Sequence, residues 1–179
     1  MWILVDIRKK LLISLEVLET LMMSNARLLY RKAKNALTGK RKIKKLISLY
    51  KYFYKSVRTN GQWDLKRKRS WKMNEKKEIY KYGSKKLYRN DDVGNIHFGF
   101  VGSVLFHREF LCFGAGLYQV KSRTSRWKYT LSYGDDPHDS YMIRFGNSLF
   151  HSTGCASSYK KVTKYLKFAF KLVYVGMED

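Results

Sequence analysis

The chain has 179 residues, 45% hydrophobic and 16% aromatic, with a formal net charge of +23. That length and apolar content suit one folded domain and exclude a disordered chain. A single proline argues against a turn-rich β sandwich, and two cysteines (Cys112 and Cys155) exclude a disulfide framework and a cysteine zinc site.

Residues 3–23 carry leucines at three- and four-residue steps, which predicts an amphipathic helix. Ser24-Asn25 offers a stop or a new cap, and residues 26–37 read as a second, more basic helix ending at Thr38-Gly39. Residues 41–58 give a third, with Ile43, Leu46, Ile47, Tyr50, Phe53, Tyr54 and Val57 on one stripe. Asn60-Gly61 is a turn signal. The segment 62–90 is irregular, and Ile79–Gly83 within it reads as a short strand or a helix end. Asn95 to Phe106 and Phe110 to Lys121 read as two helices joined by a short loop. Gly99, Gly102 and Gly114-Ala115-Gly116 suggest a tight, glycine-rich helical hairpin. Residues 137–150 and 160–175 complete the helices, the last basic and amphipathic. The expected fold is a compact, mainly α domain with a small irregular or β element near 62–90. It divides into a basic helical extension (1–40), a central domain (41–154) and a C-terminal amphipathic helix (155–179).

No uncharged run reaches the ~20 residues that cross a bilayer. The apolar start precedes Arg8-Lys9-Lys10, the reverse of a signal peptide, so a soluble chain is expected. Charge is uneven: residues 1–90 carry +20, 91–159 are neutral, and 160–179 carry +3. The basic half fits a phosphate-bearing partner or a lysine-rich solvated surface equally well. There is no P-loop, H-E-x-x-H or G-x-S-x-G.

Chemistry-bearing residues concentrate in two runs, Asp91–Gly102 and Gly134–Asp139, which hold five carboxylates, two histidines and four glycines. Asp136, Pro137 and Asp139 fit a helix start: cap, first position and a carboxylate at the dipole. Capping leaves Asp135 and His138 without a role. Asp92, Asn95 and His97 form a second polar group at a helix start, where His97 serves as a general base or a structural residue.

The blocks Asp92 to Gly102, Gly114 to Gln119 and Gly134 to Gly146 resemble the bacterial polymorphic toxin type 44 domain. Trp63-Asp64-Leu65-Lys66 resembles the Trp-Asp-x-Lys element ahead of that core. The resemblance covers roughly residues 45–150 and leaves the tail from 155 unmatched. It implies a toxin at the C-terminal end of a secreted effector, delivered into a target cell and held in check by a cognate immunity protein.

Two reactions fit the residues. In a nuclease, His97 or a carboxylate acts as base, Lys66 or Arg144 stabilises the phosphorane, and Asp92, Asp135 and Asp139 together could hold Mg²⁺. In a periplasmic peptidoglycan glycosidase, one carboxylate from each run flanks the sugar bond. The catalytic set expected is Asp92, Asn95, His97, Asp135 and Asp139, with Lys66, Arg144, Gly99 and Gly102 binding substrate. A nuclease stands slightly ahead, and a non-enzymatic helical binding module is the third reading.

Overall fold

The computed structural model describes residues 2–66, 80–82, 85–87, 92–121 and 136–175. Among these the chain forms helices α1 (Trp2–Leu37), α2 (Lys42–Val57), α3 (Asp92–Gly102), α4 (Arg108–Lys121), α5 (Pro137–Ser152) and α6 (Cys155–Val175). Strands β1 (Tyr80–Tyr82) and β2 (Lys85–Leu87) pair antiparallel, with Tyr80 opposite Leu87. The fold is mainly α, as expected, and the small β element lies within 62–90. The basic run Arg67-Lys68-Arg69 lies outside the described residues.

α1 corrects the expectation of a break at Ser24-Asn25, because it runs unbroken through both residues. Serine and asparagine are only mildly unfavourable in a helix interior, and a tertiary partner overrides that preference. Here the partner is His97, whose Nε2 lies 2.9 Å from Asn25 Nδ2 in the interior. Leu18, Met22, Ala26, Leu29 and Ala33 recur at three- and four-residue steps and are all buried, so one face of α1 belongs to the core. Gly39 (φ 71°) and Arg41 (φ 61°) then reverse the chain into α2, which buries Leu46, Leu49 and Phe53.

α3 and α5 form the centre. Asp92 meets His138 at their N-terminal ends, and Asn147 Nδ2 donates to Ser103 Oγ (2.7 Å) beyond the end of α3. The two helices therefore run side by side in the same direction. Gly99 packs against the carbonyl oxygen of Ile143, and Gly146 packs against that of Ile96. A methyl group at either glycine would collide with the opposite backbone, so the absence of Cβ at both positions permits the close approach.

The glycines of the expected hairpin serve different neighbours. Gly99 serves α5, not the neighbouring α4, and a Cβ at Gly114 would meet nothing within 4 Å. Gly102 faces α4 and α2, against Leu111 and Phe53. α6 starts at Cys155 and packs on α1 and α5. Tyr159 stacks on Tyr30 with ring centroids 4.2 Å apart, and Leu166 is fully buried.

Candidate functional site

The site is built where the first turns of α3 and α5 converge. Asp136 caps α5: its Oδ1 accepts from the backbone N–H of His138 at 2.9 Å, and Pro137 occupies the first helical position. That local geometry, legible in the sequence, fixes where His138 leaves the backbone. Its Nε2 then lies 2.7 Å from Oδ1 of Asp92. Asp92 is fully buried, while the His138 side chain keeps 25% of its surface in water. The two helix N-termini present positive ends to the Asp92 carboxylate.

The pairing resembles the arrangement in which a buried carboxylate holds an imidazole in one tautomer. With Nε2–H donating to Asp92, Nδ1 is the nitrogen left to accept a proton. This leaves a quarter-exposed imidazole on a rigid mount.

A third group comes from the turn after α2. Asp64 Oδ2 accepts from the backbone N–H of Asn60 (2.8 Å), and the Trp63 N–H donates to the Ser56 carbonyl (2.8 Å). Gly61 lies against the backbone of Ser56, where a side chain would collide. These contacts lock the Trp63–Lys66 element. Trp63 is buried edge-on to His97, with centroids 6.0 Å apart. Lys66, exposed, lays its aliphatic chain across Gly94, so that a Cβ there would stand 2.7 Å from Lys66 Cγ. Positions 94 and 97 of α3 thus face positions 66 and 63 of the turn.

The expected site residues divide accordingly. Asp92 opens the first turn of α3, and Lys66 lies over Gly94 in that turn. Asn95 is buried beside them in sequence, and its Nδ2 has no hydrogen-bond partner among the described residues. Asp139 is buried in the first turn of α5. His97 is 1% exposed and bonded to Asn25, well inside the domain. Gly99 and Gly102 are buried at helix crossings and offer no surface to a substrate. Arg144 is exposed on α5, about 9 Å of helix rise beyond His138. Asp135 lies outside the described residues. Among those described, no three His, Cys, Asp or Glu side chains are grouped to hold a metal ion.

His138 is the residue that sequence reasoning leaves without a role. The signal is present: a histidine two residues after a cap, in the same run as the carboxylates. Its partner stands 46 residues away, and only the parallel docking of α3 and α5 supplies it.

Among the described residues no helix is long and apolar enough to cross a membrane. Searches of curated proteins and of solved structures returned no match. The family model for bacterial toxin 44 matches residues 52–152. That span contains the Trp63–Lys66 element and all of α3, α4 and α5, and the chain belongs to the bacterial toxin 44 family.

Proposed function

We propose that this toxin domain is a ribonuclease whose base is His138, oriented by Asp92 and assisted by Lys66. The observation that carries the reading is the 2.7 Å contact between a buried carboxylate and a partly exposed imidazole. Histidine is the side chain whose ordinary titration range suits proton transfer near neutral pH.

In the reaction, His138 Nδ1 takes the proton of a ribose 2′-hydroxyl. The 2′-oxygen bonds to the adjacent phosphorus, the bond to the 5′-oxygen breaks, and that oxygen takes a proton from water. The products are a 2′,3′-cyclic phosphate end and a 5′-hydroxyl end. Lys66 supplies positive charge beside the developing phosphorane. The net charge of +23 favours a polyanionic substrate.

A peptidoglycan glycosidase requires two carboxyl groups that reach the sugar. Of the three carboxylates that the runs bring into the described structure, Asp92 and Asp139 are buried, at 0% and 7% exposure, and Asp136 is engaged in capping α5. The nuclease reading is preferred for that reason. Family membership supports a cognate immunity protein as partner and delivery from a secreted effector into a target cell.

The test is expression in the cytoplasm and, separately, with an export signal. Cytoplasmic arrest with RNA bearing cyclic phosphate ends supports the reading. Lysis only after export overturns it in favour of the wall hydrolase. In purified protein, His138→Ala should lower RNA cleavage by about 100-fold or more, and cleavage at the native rate removes His138 from the site.

A further inference from the structure

Between Glu19 and Asp64 the chain carries no acidic residue. α1 and α2 pack so that this stretch encloses an open groove of about 560 Å³. Its lining includes Lys32, Arg41, Lys44 and Lys45, with Asn35 and Ser48 between them and no carboxylate. Like charges gathered around one hollow repel each other and destabilise the fold, and a bound anion offsets that repulsion.

Two of the cations are held in place. Lys45 Nζ donates to the Thr38 carbonyl at 2.9 Å, and Lys32 Nζ stands 4.3 Å from the ring centre of Tyr52. Tyr52 lies edge-on to Trp63, which in turn lies edge-on to His97. The groove is therefore mounted on the same turn that carries Lys66. Apart from Tyr52 it is made of residues ahead of the segment matched by the toxin family.

We infer that the α1–α2 groove binds the sugar–phosphate backbone of a single-stranded polynucleotide, as an anchoring site away from the point of cleavage. The choice of polynucleotide rests on the ribonuclease reading, and the binding does not require cleavage. Four cations around one groove predict affinity dominated by phosphate contacts and steeply dependent on salt.

The test uses the full chain and a fluorescent 2′-O-methyl oligouridylate, which lacks the attacking hydroxyl. Anisotropy is followed from low to physiological salt. The Arg41→Gln/Lys44→Gln variant should reduce the slope of log affinity against log salt by about 1.4, at ~0.7 for each phosphate that is no longer neutralised. Arg41→Lys/Lys44→Arg, which keeps both charges, should retain the slope. Thermal melts of both variants confirm folding. An unchanged slope in the neutralised variant overturns the proposal. So does binding to anionic phosphatidylglycerol vesicles without binding to the oligonucleotide, or loss of an acidic protein partner with the slope intact. Failure of the ribonuclease reading is read separately, as no cleavage of native RNA. A slope change that persists in that case still assigns the groove to polynucleotide.

Discussion

His97 Nε2 lies 2.9 Å from Nδ2 of Asn25, a residue in the middle of α1 and 72 positions earlier in the chain. Both side chains are buried. The contact ties α1, all of which precedes the family segment, to α3 at its centre. A buried polar pair is costly to leave half made, because the surviving partner loses water without gaining a bond. Asn25→Ala should therefore lower stability by about 1–3 kcal/mol. His97→Ala should cost as much or more, since it also empties a packed position beside Trp63. Urea unfolding measures both. RNA cleavage per folded molecule should be unchanged in each. If a folded His97→Ala protein fails to cleave RNA, His97 returns to the catalytic set.

The crossing of α3 and α5 makes a stricter demand. Alanine at Gly99 would place its methyl on the Ile143 carbonyl, and alanine at Gly146 would place one on the Ile96 carbonyl. Neither obstacle is a flexible side-chain end, so one helix must shift against the other. Such overpacking costs roughly 3 kcal/mol, or about 10 °C in melting temperature for a domain of this size. Because His138 reaches Asp92 only through this docking, both variants should also lose cleavage at temperatures where they remain folded. A native melting temperature in either variant would contradict the parallel packing of α3 on α5.

What is legible in the sequence follows the range of the interactions. Asp136, Pro137 and Asp139 announce the start of α5 because a cap, a fixed φ and a dipole are all local. Periodicity likewise marks a stripe along 41–58, from which α2 buries Leu46 and Phe53, but Ile43, Ile47 and Tyr54 of that stripe stay exposed and Leu49, outside it, is buried. Ser24-Asn25 misleads for the opposite reason, since the force that keeps the helix going is a contact with His97. Gly99 announces a close approach, but nothing in its spacing says whether α4 or α5 makes it. Asp92 is recognisable as a polar group at a helix start, whereas its pairing with His138 depends on a helix docking that no local pattern encodes.

Tyr50 supplies a prediction at high pH. Burial of its phenol disfavours the anion and raises its pKa from 10.0 to about 12. Above pH 10 the unfolded chain ionises this tyrosine while the folded chain keeps it protonated. Unfolding then releases a proton, so the stability from Tyr50 is fully present below pH 10 and is lost as pH rises toward 12. Urea midpoints of the native chain should fall across that window. Tyr50→Phe should fall less steeply over the same range, and identical slopes would mean that Tyr50 ionises equally in both states.

Gly94 separates a functional contact from a structural one. Its neighbour is the flexible arm of Lys66, with Cγ 2.7 Å from where a Cβ would stand. That arm can swing aside, and alanine is about 1 kcal/mol better than glycine inside a helix. Gly94→Ala should therefore leave stability within about 1 kcal/mol of the native chain, in contrast to Gly99→Ala. The displaced Lys66 no longer lies over Gly94 in the first turn of α3, so cleavage of RNA should fall toward the level of Lys66→Ala. The two changes act through one side chain, which makes their effects non-additive. Gly94→Ala/Lys66→Ala should be no slower than Lys66→Ala alone. Additive losses in that cycle would show that Gly94 matters for some reason other than the seat it gives to Lys66.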